Sequence, residues 1–357
     1  MPAGQLRSVG WEHLTTNFPD PEVIRAILGI CTYGARIGYT QQRSEPTIHP
    51  NLAIADADAT LVSADVSSEL NKNPLDTYLN INTLPTHYTA SPLGLVDKTD
   101  GSKRRIHHLS YPPDDPMAIN NGIPEQFGSI GYSGIEDAVS TIQKLGKGGT
   151  LIKRDFESAF RHIQVSPYDS PLLGFHWQNR CYAERFRPFG LRTAPYLFNL
   201  FAEVIHWILE DQLRKHNIPA RIIHYLDDFL IVIPASEHPD QCSQMFASLC
   251  REVGLTIKDS KKEKGRVASF AGLEFDSRRM IIQLPKKELS KAWTMIDNVR
   301  KHWSPSLLDI QKITGYLNFL STVVPLGRTF LRRLYNMKLY FPSGGRHIRR
   351  RLSGEAK

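Results

Sequence analysis

Apolar residues change their period several times along this chain, and each change predicts a different element. Val23, Ile24, Ile27, Leu28 and Cys31 recur at helical spacing behind Asp20-Pro21. That arrangement predicts a helix with Asp at its N-cap and Pro at its first position. Leu61, Val62, Val66 and Leu70 predict a second helix. Next, Ser91-Pro92-Leu93-Gly94-Leu95-Val96 and Lys103-Arg104-Arg105-Ile106 flank a polar turn containing Asp100-Gly101, a strong hairpin signal. Pro112-Pro113-Asp114-Asp115-Pro116 opens a loop that runs to Gly122. Helical spacing returns at Ile135, Ala138, Val139, Ile142 and Leu145, with Gly146 as the stop, and a strand follows from Thr150 to Asp155. Residues 172–177 and 181–186 predict a hairpin turning at Asn179-Arg180. Leu197, Phe201, Val204, Ile205, Ile208 and Leu209 mark a long amphipathic helix. A helix over 245–253 and one short strand over 270–275 come later. The final third reads as helices over 286–302, 307–320 and 327–339.

The most informative stretch is Tyr225-Leu226-Asp227-Asp228, between the apolar runs Arg221-Ile222-Ile223-His224 and Phe229-Leu230-Ile231-Val232-Ile233. Two β-branched runs around an acidic break predict a hairpin carrying adjacent carboxylates at its tip. Asn-Gly would turn more easily, so two acids there point to a hard divalent cation, which takes oxygen ligands. A solvated Asp-Asp turn is the competing reading. Asp155, at the end of the strand Leu151-Ile152-Lys153-Arg154-Asp155, reaches the hairpin only through the fold. If it converges there, three carboxylates can clamp two ions about 3.5–4 Å apart, the arrangement suited to in-line displacement at phosphorus.

The segments Ser91-Pro92-Leu93-Gly94-Leu95-Val96-Asp97-Lys98 through Arg105, Asp155-Phe156-Glu157-Ser158-Ala159-Phe160, Pro188-Phe189-Gly190-Leu191-Arg192-Thr193-Ala194-Pro195-Tyr196-Leu197-Phe198-Asn199 and Tyr225-Leu226-Asp227-Asp228 occur in that order. Together they resemble the signatures of reverse transcriptases. Phe270-Ala271-Gly272-Leu273-Glu274-Phe275 resembles the primer-grip strand. Ile106-His107-His108-Leu109-Ser110-Tyr111-Pro112, Leu317-Asn318-Phe319 and Pro325-Leu326-Gly327-Arg328-Thr329-Phe330-Leu331-Arg332-Arg333-Leu334 are most similar to tyrosine-recombinase (DIRS-like) retrotransposons.

The resemblance implies an α+β right-hand polymerase, with an antiparallel palm sheet backed by helices. Its parts would be an N-terminal helical region at 1–85 packing on fingers and palm, fingers and palm at 86–285, a helical thumb at 286–341 and a basic tail at 342–357. It implies an RNA-directed DNA polymerase that adds dNTPs to a primer on an RNA or DNA template, with two Mg2+ ions or Mn2+ as substitute. Asp155 and Asp227 would be the main metal ligands, Asp228 would assist, and Phe156 would offer its carbonyl. Lys98 and Arg104 would hold the triphosphate, since a guanidinium forks onto phosphate. Phe160 would press on the sugar where a ribose 2′-hydroxyl would sit, and Phe189-Gly190 would lie beside the incoming base and sugar. Lys261 or Lys262 falls near the place of a proton donor to pyrophosphate. Arg154 departs from the family pattern, and strand alternation should point it away from the site. An RNA-dependent RNA polymerase is disfavoured by Phe160 and by Tyr-Leu-Asp-Asp. A catalytically silent nucleic-acid-binding remnant of a decayed retrotransposon is the alternative. No RNase H, recombinase or capsid-like region is read, so a fragment of a longer element is expected.

Composition adds a partner. The 357 residues are 41% hydrophobic, enough for a sizeable core in about two lobes. Lys and Arg number 44 against 36 Asp and Glu, a net charge of +8 that favours a polyanion. No acid lies between Asp309 and Glu355, where Lys312, Arg328, Arg332, Arg333, Lys338, Arg346, Arg349, Arg350 and Arg351 accumulate. The arginines of that stretch are the candidate duplex-backbone contacts. Cys31, Cys181, Cys242 and Cys250 make no CxxC pair, so neither zinc site nor disulfide framework is read. No membrane span and no signal or transit layout is read, and an intracellular site, cytoplasm or nucleus, is expected.

Overall fold

The computed structural model describes residues 6–72, 75–78, 81–98, 101–128, 130–131, 134–237, 239–302, 304–324, 326–342 and 348–351. Thr99 and Asp100 of the first expected hairpin turn, Pro325 and the basic-tail residue Arg346 lie outside them. The chain forms two compact units, Met1–Glu263 and Lys264–Lys357.

The first unit contains helices α1 (Ser8–Leu14), α2 (Pro21–Tyr33), α3 (Ala53–Ala57), α4 (Ala59–Lys72), α5 (Ile135–Leu145), α6 (Ala194–Lys215) and α7 (Pro239–Val253). Its strands are β1 (Thr47–Ile48), β2 (Leu75–Tyr78), β3 (Thr89–Ala90), β4 (Leu93–Asp97), β5 (Lys103–His107), β6 (Thr150–Asp155), β7 (Gly174–Trp177), β8 (Arg180–Glu184), β9 (Arg221–Tyr225) and β10 (Asp228–Ile233). A short strand, β11 (Glu263–Gly265), spans the division in the chain. β4 and β5 form a hairpin, while β1, β3, β7, β8 and β2 make a mixed sheet in that order. β10 lies between β9 and β6, antiparallel to both.

Local chemistry explains these elements. The Asp20 carboxylate accepts from the N–H groups of Glu22 and Val23 at 2.9 and 3.4 Å, capping α2 ahead of Pro21. Gly146, at φ 93°, ends α5 in a conformation that strains any residue with a Cβ. One face of the β6–β10 pair carries Ile152, Phe229, Ile231 and Ile233, which join Phe198, Phe201, Ile205 and Leu209 of α6 and Phe246 and Leu249 of α7 in the main core. Trp11 of α1 and Ile27 of α2 are buried in the same core, so the N-terminal helices are integral to it.

Several elements of this unit differ from the expectation. The β7–β8 turn sits at Gln178-Asn179, both left-handed at φ 47° and 60°, because Arg180 pairs with Trp177 in the ladder. Residues 172 and 173, expected to open the strand, belong instead to a 3₁₀ turn over 170–173, in keeping with Pro171, which has no N–H to give a ladder. α7 begins six residues earlier than its apolar period suggested (239 against 245), at Pro239, and buries the small residues Cys242 and Ser243 there.

In the second unit, β12 (Val267–Phe270), β13 (Leu273–Asp276) and β14 (Ile281–Gln283) form an antiparallel meander. The stretch expected as one strand over 270–275 is therefore a hairpin. Ala271 and Gly272 both take positive φ, 48° and 79°, which reverses the chain between two apolar ends. α8 (Lys286–His302), α9 (Leu307–Leu320) and α10 (Gly327–Met337) follow. Ser306 and Asp309 make a reciprocal capping box at the start of α9. Ile310, Met337 and Phe341 form this unit's small core. Among the described residues, no helix is long and apolar enough to cross a membrane.

Candidate active site

The antiparallel register sets Asp228 opposite both Tyr225 and Asp155. The turn itself is therefore Leu226-Asp227, and only one of the two acids stands at the tip. Leu226 has φ 54°, a left-handed position that a tight hairpin normally gives to Gly. Strain of this kind persists only where surrounding structure imposes it, commonly at a functional site. Backbone hydrogen bonds supply that support: Phe156 N–H donates to the Asp227 carbonyl at 3.4 Å, and Lys258 N–H to the Asp155 carbonyl at 2.7 Å. The first draws the end of β6 to the hairpin tip, a convergence that separation in the chain conceals, and the second ties it to the segment after α7.

The Asp155 and Asp227 carboxyls face the same cleft, close enough for the charge of one to oppose that of the other. Burial first, and the Asp155 charge second, push the Asp227 carboxyl up to about 6. The Lys261 ammonium bonds Asp155 Oδ2, and that contact holds the ammonium above its ordinary range. Asp228 shares the face of Asp155 by register, but its carboxylate meets Lys153 Nζ at 3.2 Å. Among the described residues, no group of three His, Cys, Asp or Glu side chains is arranged to hold a metal ion. The structure thus brings two carboxylates together and assigns the third to a lysine. The buried Asp155, paired with the Lys261 ammonium, and the part-buried Asp227, whose charged form burial and the Asp155 charge oppose, are hard oxygen donors short of positive charge, and they fit a divalent cation. The ring of Phe156 packs against Phe198, Phe229 and Phe246, which leaves its main chain to face the site.

A cleft of about 1370 Å³ opens beside this pair. Asp155, Phe156, Asp227 and Lys261 line one part, and Lys98, Arg104, Phe160 and Phe189 line another. The Arg104 guanidinium lies 4.4 Å above the Phe189 ring, a cation–π contact, and Phe189 meets Phe160 edge-on at 5.6 Å. Phe160 also touches Phe198, so one ring serves both core and cleft. Lys262 does not line the cleft, which distinguishes it from Lys261. Gly190 is exposed at φ 97°, and a Cβ there would come within 3.1 Å of the His107 carbonyl. Arg154 points away as expected: its side chain bonds Ser243 of α7 and lies 3.6 Å from Asp259.

In the second unit, Arg328, Arg332 and Arg333 are exposed on α10. Arg349, Arg350 and Arg351 are exposed too, and Arg349 bridges to Ser306 while Arg350 N–H donates to the Pro305 carbonyl at 3.1 Å.

Several cleft residues were given no role by the sequence. Arg105, Arg161, Glu69 and His107 line it, with the fully buried Glu184 behind them. Arg105 and Arg161 immediately follow the expected site residues Arg104 and Phe160, the one signal in the sequence that could have marked them.

Residues 114–275 match a family model described as reverse transcriptase (RNA-dependent DNA polymerase). Protein P of duck hepatitis B virus (strain China) is 27% identical over 201 residues, 55% of this chain and 24% of that protein. The Gag-Pol polyprotein of avian leukosis virus subgroup A is 22% identical over 237 residues, 64% of this chain and 13% of that protein. The chain spans about a quarter or less of the length of these relatives. The foamy viral protease-reverse transcriptase in complex with RNA/DNA hybrid superposes with TM-score 0.59 at 18% identity, covering 94% of this chain and 43% of that one. Its dRH form with double-stranded DNA gives 0.61 at 18%, covering 98% and 57%. The fold is that of a right-hand polymerase, and residues 114–275 match the reverse-transcriptase family model and are distantly similar to hepadnaviral and retroviral polymerases.

Proposed function

We propose that this chain is the polymerase part of a retroelement reverse transcriptase, which adds dNTPs to a primer 3′ end on an RNA or DNA template. The observation that supports this best is one cleft holding the Asp155–Asp227 pair, the cations Lys98 and Arg104, and the Phe160–Phe189 contact. Asp155, Asp227 and the Phe156 carbonyl, with Asp228 as a lesser ligand, would hold Mg2+ or Mn2+, which supplies charge neutralisation on the phosphoryl group and lowers the pKa of the attacking hydroxyl. Lys98 and Arg104 bind the triphosphate, and Phe189 restrains the Arg104 guanidinium so that less freedom is lost on binding. Lys261 holds a proton beside the reacting groups and is the residue placed to pass one to pyrophosphate. The exposed arginines of the second unit track the duplex backbone without reading sequence. A tyrosine-recombinase (DIRS-like) origin is part of this proposal; it rests on the segments 106–112, 317–319 and 325–334, whereas the relatives named above are viral.

Primer extension on poly-rA with oligo-dT, with and without magnesium, tests the reading. Magnesium-dependent extension supports it. Duplex binding with no extension under any divalent metal favours the silent nucleic-acid-binding remnant instead.

Phe160→Ala should lower the ratio of dNTP to rNTP incorporation, by opening space for a 2′-hydroxyl. An effect of about 10–100-fold matches the loss of a steric contact in a packed site. An unchanged ratio would make Phe160 a core residue only. Replacing Arg328, Arg332 and Arg333 with Gln should flatten the salt dependence of duplex binding. Each lost phosphate contact lowers the slope of log K against log salt by about 0.9. A slope identical to the parent's would remove α10 from the duplex path.

A further inference from the structure

Behind the nucleotide side of the cleft lies a closed ring of charge that joins four elements. Glu69 of α4 uses its two carboxylate oxygens on two different arginines: Oε2 takes Arg105 of β5, and Oε1 takes Arg161 Nη2 at 2.7 Å. Glu184 of β8 does the same from the opposite side. Its Oε1 lies 3.1 Å from His107 and 3.7 Å from Arg105, and its Oε2 bonds Arg161. Asp65 accepts from Arg105 Nε at 2.6 Å, and Asp58 accepts from Lys103 at 2.9 Å. Asp65 and Glu69 keep the spacing of one face of α4, Asp58 stands just before its first residue, and Lys103 and Arg105 keep the spacing of one strand face. The two stripes meet side chain to side chain.

The helix does not need these acids to stay in place. Val62 and Val66 of α4 are already buried against Leu93, Leu95, Phe175 and Trp177. Buried ion pairs are also poor stabilisers beside apolar packing of the same volume. What the ring does specify is position. Arg105 follows Arg104 and Arg161 follows Phe160, and those two neighbours meet across the Phe189 ring. We propose that Glu69, supported by Asp65, is a positioning residue for the incoming nucleotide. It ties the β4–β5 hairpin to the segment after β6, and so fixes the separation of Arg104 and Phe160. This rests on the polymerase reading above. It assigns α4 a part in the nucleotide subsite without placing any of its residues on the reacting atoms.

Glu69→Gln tests this, because the amide cannot accept from both arginines, while Glu184 still bridges them and preserves the fold. Steady-state primer extension should show a KM for dTTP raised about tenfold with kcat little changed, since small misplacements of a binding group are felt steeply. The preference for dTTP over UTP should fall, Glu69→Ala should show both effects more strongly, and Glu69→Asp should recover part of the loss. Hydrogen exchange should quicken at the amides of Lys103–His107 at an unchanged melting temperature. An active parent whose Glu69→Gln variant keeps its KM, sugar preference and exchange rates overturns this inference alone. A variant that loses kcat and melting temperature together with no change in KM also overturns it, making the ring structural only. A parent that extends no primer overturns the polymerase reading and the inference with it.

Discussion

Asp227→Asn is expected to abolish primer extension, by on the order of 10³-fold or more, while thermal unfolding stays close to the parent's. Removing one preorganised group that stabilises transition-state charge costs about 10²–10³. This substitution also removes the negative charge that would hold the metal. Asn keeps the shape of Asp and its turn propensity, so the Leu226-Asp227 turn should survive. The pair with Asp155 should relax rather than strain, because Asn sets no second like charge beside the Asp155 carboxylate. Comparable extension by variant and parent would end the two-carboxylate reading of the cleft. A parallel Asp228→Asn variant measures what the third acid contributes, and its pairing with Lys153 predicts a smaller loss.

Glu184→Gln should be the most destabilising single substitution in the same region. Glu184 is fully buried, and burial opposes its charge. Arg161, His107 and Arg105 overcome that cost and hold the carboxyl well below the usual carboxylate range. Removing one partner of a buried ion pair costs about 3–5 kcal/mol, because the remaining charges are left uncompensated. Gln retains one acceptor oxygen, so the lower end of that range is expected. The folded state favours the ionised carboxylate more than the unfolded chain does. Its contribution is therefore complete above the unfolded value of about 4.3 and is lost as pH falls toward the folded value. Denaturant midpoints should differ most at neutral pH, and the gap between Glu184→Gln and parent should close below about pH 4. A gap that does not depend on pH would assign the loss to packing rather than to charge.

The sequence by itself determined the elements and the chemical inventory. Apolar period placed α2, α4, α5 and α6, and β-branched runs placed β6, β9 and β10, because backbone geometry couples side-chain direction to chain position at fixed repeats. The ordered motifs also named Asp155, Asp227, Phe160, Arg104 and Phe189, and the fold gathers these five around one cleft. Residue type and local spacing marked the carboxylates, and the resemblance to reverse transcriptases marked Phe160, Arg104 and Phe189.

Turn geometry was less legible. A hairpin with one residue in the left-handed region moved Asp228 from the tip into β10, and two positive-φ residues at Ala271-Gly272 divided a single apolar stretch into two strands. Both outcomes depend on which residues pair across the ladder, and an apolar pattern does not encode register at a turn.

Only the tertiary structure decided which charges meet. It distinguished Lys261, bonded to Asp155, from its neighbour Lys262, and gave Asp228 to Lys153. It also closed Glu69, Arg105, Arg161 and Glu184 into a ring from four separate segments. Each arginine or carboxylate alone reads as solvated surface. Its partner is fixed by the burial of apolar neighbours such as Val62, Val66 and Phe175, and that burial exists only once the segments have packed.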